Sequence, residues 1–237
     1  MQWQTLAAAL FPQGHAIGEQ GDLLAGSAQV GGASVTVVGS ANHAAIGVDL
    51  ALAQAAAMLD TMRAHPGRAI VLLIDTQGQR LRHRDEMLGI HSYLAHLGKC
   101  VDLARRRGHR VIALVYDQAL SGGFITSGLM ADACYALPDA TIRVMGLAAM
   151  ARITKVPEAR LRDLAQSNPV FAPGPENYWR MGALEAIWRD DLAGQLLQAL
   201  GGPAGADTRA ALAFARGGRQ LAQAVIDAIV DPHVPSP

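Results

Sequence analysis

Two short loops that contain glycine are the parts of this sequence whose residue types could do chemistry. In "QALSGGF" at 118–124, Gly122 and Gly123 follow an apolar strand pattern and open a predicted helix. The second loop holds Gln77 and Gly78 and ends another strand pattern. The first amides of a helix lack intrahelical acceptors, and glycine permits a positive φ and the close approach of a ligand. Amides of the two loops could therefore form an oxyanion hole, or the glycines could serve only to pack the helix tightly on its strand.

Strand and helix patterns alternate over the first 146 residues and determine where both loops lie. The predicted strands are 33–40, 68–79, 109–118 and 132–146, and the predicted helices are 48–65 and 85–108. The long apolar run at 68–79 indicates a strand that is buried on both faces, as in a parallel sheet. The helix at 85–108 opens with acidic residues and closes with arginines, which suits the dipole of one long helix. These units predict an α/β fold with a mostly parallel sheet, whose strands end at an edge where ligands commonly bind.

The part of the chain after residue 146 has a different composition. Residues 147–166 have a helical pattern with a cationic side, and 167–182 are rich in proline and aromatic residues. Residues 183–200 are predicted to form an amphipathic helix, and 207–233 a helical tail. The predicted divisions of the chain are an N-terminal segment at 1–30, a core at 31–190 and a C-terminal helical tail at 191–237.

The composition argues against several broad classes of protein. Lys+Arg and Asp+Glu number 20 each, so no general electrostatic attraction to nucleic acid or to an anionic membrane is expected. Cys100 and Cys134 form neither a disulfide framework nor a CxxC metal pattern, and Cys134 is expected to be a buried thiol. No apolar run reaches the length of a membrane span, and the first residues lack the basic segment of a secretory signal. A cytoplasmic location is the expectation.

Four stretches of the sequence carry a resemblance to known proteins. The segments "IDTQGQ" at 74–79 and "RGHRVIALVYDQALSGGFITSGLMADACYALPDATIRVMG" at 107–146 resemble the crotonase-type core of carboxyltransferases. Further along, "MGLAAMARITKVP" at 145–157 and "NPVFAPGPENYWRMGALEAIW" at 168–188 resemble the γ subunits of biotin-independent malonate decarboxylases. The resemblance covers about residues 30–190.

This resemblance implies a fold, a reaction and a set of partners. The fold would be a crotonase-like core of ββα units with a parallel sheet, followed by a C-terminal helical extension. In that family a γ and a β subunit form the site between them. There, malonyl carried as a thioester on an acyl-carrier subunit loses CO2 and leaves the acetyl thioester. The carrier holds a prosthetic group derived from dephospho-CoA, an acyl-carrier transferase subunit is a further expected partner, and neither biotin nor a metal is expected.

The loops and the resemblance together define the predicted site. Loss of CO2 leaves an enolate, whose charge must be met by preorganised donors in a site that excludes water. The expected donors are the backbone amides of Gln77, Gly78, Gly122 and Gly123. The residues expected to bind substrate or carrier are Ser121, Phe124, Arg143, Arg152 and Lys155. Phe124, Ile125 and Thr126 stand where crotonase-type hydratases carry a catalytic Glu, so a hydratase mechanism is not expected.

Several alternatives stay open at this stage. Ser121 could cap or turn the start of its helix or act as a nucleophile, and Asp75 could cap a chain segment or act as an acid or base. The cationic residues could form a solvated face only. The γ amides could hold either the malonyl carboxylate or another oxygen of the substrate. The whole chain could also be a stand-alone acyl-thioester hydrolase or a non-catalytic partner that completes the β subunit's pocket.

Overall fold

The computed structural model describes residues 1–166, 174–202, 207–218 and 220–230. Its strands are β1 (His15–Gln20), β2 (Leu23–Val30), β3 (Ala33–Ser40), β4 (Ala44–Ile46), β5 (Ile70–Gln79), β6 (Val111–Leu120), β7 (Ala133–Ala136), β8 (Thr141–Arg143) and β9 (Ala186–Ile187). Its helices are α1 (Trp3–Leu10), α2 (Val48–Ala64), α3 (His83–Met87), α4 (Ile90–Arg106), α5 (Ser121–Ser127), α6 (Leu147–Thr154), α7 (Glu158–Ala165), α8 (Pro175–Arg180), α9 (Leu192–Leu200), α10 (Arg209–Ala215) and α11 (Gln220–Val230).

The strands of the described residues form one sheet in the order β1-β2-β3-β5-β6-β7-β9. β4 pairs with the last part of β5, and β8 pairs with the last part of β6. β1, β2 and β3 pair antiparallel, and the remaining pairs of strands are parallel. β5 and β6 are buried on both faces along most of their length, as their apolar runs predict. The prediction of an α/β fold with a mostly parallel sheet is confirmed.

Helices cover both faces of this sheet. On one face α2, α4 and α5 pack against β5 and β6, with Met58, Leu97, Val101 and Phe124 among the buried side chains. On the other face α1 and α9 bury a second set, which includes Leu6, Leu10, Phe11, Trp188 and Leu196. Residues 1–30 thus contribute one helix and two strands to the same sheet as residues 31–190. The division of the chain at residue 30 stays a prediction.

The long helix predicted at 85–108 is two helices, and that prediction was wrong. Gly89 adopts a left-handed φ of 73° between α3 and α4, which ends the first helix and redirects the chain. Asp85 therefore lies in the short α3 and does not open the long helix. Its buried carboxylate accepts a hydrogen bond from the Val48 amide at the start of α2 (3.0 Å) and one from Arg82 Nε (2.5 Å). The acidic residue thus fixes the loop after β5 to a different helix.

Two further segments differ from the sequence-based expectation. Residues 132–146, predicted as one strand, contain the separate strands β7 and β8. Residues 183–200, predicted as one helix, contain the short strand β9, which pairs with β7. The residues on either side of β9 donate to β7: the Glu185 amide to the Cys134 carbonyl (2.7 Å) and the Trp188 amide to the Ala136 carbonyl (2.9 Å). Pairing with the sheet therefore overrides the helical pattern there, and helix α9 begins only after Asp191.

The remaining predictions concern the cysteines and the C-terminal part of the chain. Cys100 and Cys134 are both buried free thiols, and burial raises the pKa of Cys134 to about 12. The predicted helical tail contains the two helices α10 and α11. Residues 167–173 of the proline-rich segment lie outside the described residues. Among the described helices, none combines the length and the apolar character that a membrane crossing requires.

Candidate functional site

The turn from β6 into α5 contains the predicted "SGG" loop. Strand β6 ends at Leu120, and the chain turns through Ser121, which adopts a left-handed φ of 54°. Gly122 and Gly123 then form the start of α5. Within the described chain, neither glycine amide donates to a backbone group outside the helix or to a side chain. These are the unpaired donors that the first turn of a helix leaves available.

Close approach of neighbouring atoms explains Gly123 but constrains Gly122 only weakly. A Cβ at Gly123 would lie 2.9 Å from Ile46 Cγ1 and 3.1 Å from Thr76 Oγ1. A Cβ at Gly122 would meet Gln79 Oε1 at 3.1 Å. Neither glycine has the positive φ considered from the sequence, so that explanation was wrong for these two positions. The helix start is packed tightly at Gly123 and faces a movable side chain at Gly122.

The loop that holds Gln77 and Gly78 contacts the first loop, but its Gly78 amide already has a hydrogen-bond acceptor. A Cβ on Gly78 would lie 2.9 Å from Ser121 Cβ, so the two loops are in contact as the sequence predicts. The Gly78 amide already donates to Thr76 Oγ1 (3.0 Å), which itself donates to the Ala44 carbonyl (2.6 Å). Gln77 is exposed, and its Nε2 donates to the His43 carbonyl (3.0 Å). The Gly78 amide would have to release Thr76 before it could bind a ligand.

Ser121 occupies the turn without capping the helix. The N-cap position belongs to Leu120, and no side chain caps α5. The capping role considered for Ser121 was therefore wrong, whereas its turn position agrees with the sequence. Its hydroxyl makes no hydrogen bond to another described residue. A serine nucleophile needs a base within hydrogen-bond reach, and this geometry supplies none.

Phe124 and Arg143 lie beside the same turn. Phe124 is buried and packs edge-on against Tyr178, with ring centroids 6.3 Å apart. Arg143 pairs in register with Leu120. Burial raises the pKa of Tyr178, and the positive charge of Arg143 partly opposes that rise. Among the described residues, the buried Nε of Arg143 has no hydrogen-bond partner.

Of the three predicted cationic residues, Arg143 lines a groove, whereas Arg152 and Lys155 do not. A groove of about 760 Å³ is lined by Arg143, Gly146, Leu147, Ala148, Glu158, Arg162, Ala165 and Gln166. Arg152 and Lys155 are exposed near the end of α6 and do not line it. The structure therefore brings Arg143 together with the turn and separates it from Arg152 and Lys155. Arg162, which sequence reasoning did not single out, contributes a second cation to the groove.

A histidine that sequence reasoning missed lies at the same edge of the sheet. His43 precedes β4, and its amide and Nδ1 contact the carboxylate of buried Asp75 at 2.8 and 2.9 Å. The Gln118 amide is a third, longer contact of that carboxylate at 3.3 Å. Asp75 thus accepts hydrogen bonds from one loop amide, that of His43, and from one strand amide, that of Gln118. His43 is 32 positions away in the chain, so no local sequence signal could reveal the pair.

Among the residues that the structure describes, the same histidine belongs to a group of side chains close enough together to be considered as a metal site. Ligand atoms of His43, Asp75 and Asp117 lie within 4.8 Å of one another. Each carboxylate already has a partner, because Asp75 contacts His43 and Asp117 contacts the amino group of Met1 at 2.9 Å. We therefore interpret the group as hydrogen-bonded and ionic pairs.

Comparison with known proteins places this geometry in a family. Residues 41–233 match the family model described as malonate decarboxylase gamma subunit, MdcE. A malonyl-S-ACP:biotin-protein carboxyltransferase, MADD, from Malonomonas rubra is 34% identical over 123 residues, which are 51% of this chain and 42% of that protein. The chain therefore matches less than half the length of that curated relative.

Two solved structures are similar over nearly the whole chain. A Pseudomonas malonate decarboxylase hetero-tetramer in complex with coenzyme A contains a chain with 26% identity and a TM-score of 0.79, covering 96% of this chain and 97% of that one. The Pseudomonas MdcD–MdcE hetero-dimer gives 26% identity, a TM-score of 0.76 and the same coverage. These matches confirm the predicted crotonase-like carboxyltransferase fold. The protein is thus a member of the malonate decarboxylase γ-subunit family.

Proposed function

We propose that this chain works with a crotonase-like β subunit to remove CO2 from a malonyl thioester carried on an acyl-carrier subunit. The observation that carries the proposal is the start of α5, where the Gly122 and Gly123 amides have no acceptor among the described residues and lie beside the Gly78 loop. When CO2 leaves, the electron pair of the broken C–C bond passes into an enolate. Amides that are fixed before the reaction stabilise that charge without reorganisation.

The donors in this proposal are not equivalent. Gly122 and Gly123 are the primary donors, because their amides need no rearrangement. Gly78 contributes only if Thr76 turns away, and Gln77 lies at the exposed rim of the site. No protein nucleophile takes part, which agrees with the unpartnered hydroxyl of Ser121. The amides stabilise the enolate if the oxygen they hold is the thioester oxygen. If the β subunit holds that oxygen instead, the amides hold the malonyl carboxylate and orient it for loss of CO2.

The partners in this proposal follow from the similar complexes. The Pseudomonas structures are a hetero-tetramer and an MdcD–MdcE hetero-dimer, and their similarity covers 96% of this chain. We therefore expect this chain to bind a β subunit. An acyl-carrier subunit and the acyl-carrier transferase are the further expected partners. The exposed apolar side chains of α11, which include Ile229 and Val230, are consistent with a chain that buries part of its surface in a complex.

The dephospho-CoA-derived group would be supplied by the carrier and not held covalently by this chain. Arg143 and Arg162 both line the groove described above, and their guanidinium groups suit the phosphate of such a group. Arg143 and Arg162 would hold that phosphate, and the group would present the acyl thioester to the site. Phe124 and Tyr178 form a buried apolar contact behind the turn, which helps to exclude water.

Reconstitution tests the proposed function. The purified chain, a β subunit and malonyl carrier are assayed for CO2 release singly and together, with assembly followed by sedimentation. We expect little decarboxylation by this chain alone and full activity only in the complex. A monomer with full decarboxylase or thioester hydrolase activity would instead support the stand-alone enzyme. Unchanged activity after alteration of both glycine loops would support the non-catalytic partner.

Carboxyl transfer to a biotin protein is a second candidate, favoured by the name of the Malonomonas relative. The two candidates differ in their sensitivity to reagents. Direct decarboxylation should be insensitive to avidin and to chelators, since it needs neither biotin nor a metal. The assay is CO2 release by the reconstituted complex with and without each reagent. Strong inhibition by avidin would favour carboxyl transfer, and strong inhibition by a chelator would reveal a metal requirement.

A further inference from the structure

Gln79 is a polar residue at the point where the two glycine loops meet, and sequence reasoning did not single it out. It follows Gly78 directly and is the last residue of β5. Its backbone pairs in register with Ile46 of β4, and the amide of the next residue, Arg80, donates to the Ile46 carbonyl (2.9 Å). The sheet therefore fixes the position from which the Gln79 side chain extends.

The carboxamide of Gln79 lies against the start of α5. Its Oε1 is 3.1 Å from the place that a Cβ on Gly122 would take, and the next nearest atom is the apolar Leu94 Cδ1 at 3.8 Å. Each Cα–Cβ bond of a helix tilts toward the N-terminus, which is also the direction in which the amides of the first turn point. The carboxamide therefore lies on the side of α5 from which a substrate oxygen would reach the Gly122 and Gly123 amides.

The same carboxamide has hydrogen-bonding capacity that the protein does not use. Gln79 is half-buried, and neither its oxygen nor its nitrogen has a hydrogen-bond partner among the described residues. Gln77 differs, because its Nε2 donates to the His43 carbonyl. The last torsion of a glutamine is broad and roughly two-fold, so a half turn brings Nε2 to the place of Oε1. Gln79 can therefore direct two N–H donors at the start of α5 without losing a described hydrogen bond.

We infer that Gln79 Nε2 donates a hydrogen bond to the substrate oxygen that the Gly122 and Gly123 amides hold. This inference rests on the proposed function, in which that oxygen carries negative charge, either as the enolate or as the malonyl carboxylate. The Gly78 amide would first have to release Thr76, whereas Gln79 needs only the rotation of its carboxamide. The donor from the loop after β5 is therefore a side chain, and it stabilises the charge while remaining neutral itself.

Two substitutions of similar length test this role. Gln79→Met removes both N–H donors, and Gln79→Glu keeps the shape but places an ionised carboxylate beside the substrate charge at neutral pH. The measurement is kcat/KM for CO2 release from malonyl carrier by complexes with the β subunit that gel filtration shows to be intact. We expect Gln79→Met to lower kcat/KM roughly 10²-fold, the scale of losing one oxyanion donor, and Gln79→Glu to lower it at least as much. Gln29→Glu, at an exposed glutamine of β2, is the matched control and should leave kcat/KM unchanged.

The outcomes separate this inference from the proposed function. Absence of CO2 release by the wild-type complex would contradict the proposed function, and this inference with it. If the wild-type complex releases CO2, near wild-type kcat/KM in either assembled Gln79 variant overturns the inference alone. Urea unfolding midpoints of the full chain should be unchanged in both variants, because the carboxamide has no described hydrogen bond to lose. A lowered midpoint that accompanies the loss of activity would indicate a packing role for Gln79 and would also overturn the inference.

Discussion

Gly123 lies so close to Ile46 that a Cβ at position 123 would be 2.9 Å from Ile46 Cγ1. This contact holds the start of α5 against β4. The same Cβ at position 123 would lie only 3.2 Å from the carbonyl carbon of Gly78. Position 123 therefore has a packing role that is independent of its amide. Position 122 does not share this constraint, because its nearest neighbour is the end of a flexible glutamine side chain.

Gly123→Val is consequently expected to destabilise the fold as well as the site. The added side chain meets the Ile46 and Thr76 side chains and the backbone of Gly78, so the helix must shift. Overpacking of a core site typically costs about 1–3 kcal/mol. Urea unfolding of this variant and the wild type should show that loss. Wild-type stability would contradict the tight packing described for position 123.

Asp85→Asn tests how the loop after β5 is anchored. The hydrogen bonds from Arg82 and from the Val48 amide hold the pKa of Asp85 below its ordinary value. A depressed folded-state pKa contributes stability that is present above the unfolded-state pKa of about 3.9 and is lost as the pH falls through the folded value. The variant should therefore be less stable at pH 7, and its deficit should shrink on acidification.

Urea unfolding midpoints for the wild type and Asp85→Asn at a series of pH values provide the measurement. Asp60→Asn is the matched control, because Asp60 is exposed and its only described ion pair is with Arg63 on the same helix. A deficit for Asp85→Asn that stays constant from pH 7 to acid would contradict the argument. So would equal behaviour of the two variants.

The general layout of the site could be predicted from sequence because it depends on local patterns. The apolar runs before Gly78 and Ser121 indicate buried parallel strands, and such strands bring their ends to one edge. Other features depend on contacts between distant residues. Thr76 donates to the Ala44 carbonyl, β9 joins the sheet through β7, and His43 contacts Asp75. None of these contacts has a periodic signal. The break at Gly89 needs one left-handed residue only, and a glycine within a helical pattern does not reveal it.

Arg143→Gln tests the binding of the carrier. Arg143 lines the groove, so we expect its guanidinium group to hold the phosphate of the carried group. Loss of one charge-assisted hydrogen bond should raise the KM for malonyl carrier roughly tenfold or more, with a smaller change in kcat. Arg152→Gln is the control and should change KM less, since Arg152 is exposed outside the groove. Equal effects of the two changes would contradict the role given to Arg143.

Gly122→Val tests most directly whether the start of α5 holds the charge that develops on loss of CO2. Its side chain would obstruct the amides while meeting mainly the movable Gln79 side chain, so assembly with the β subunit should survive. The measurement is CO2 release from malonyl carrier by complexes first shown to be intact by gel filtration, with Ser121→Ala as the matched control. We predict that Gly122→Val lowers turnover roughly 10²-fold or more, the scale of losing one oxyanion donor, and that Ser121→Ala changes it far less. An intact Gly122→Val complex with near wild-type turnover, beside an inactive Ser121→Ala complex, would contradict the account and favour a serine nucleophile.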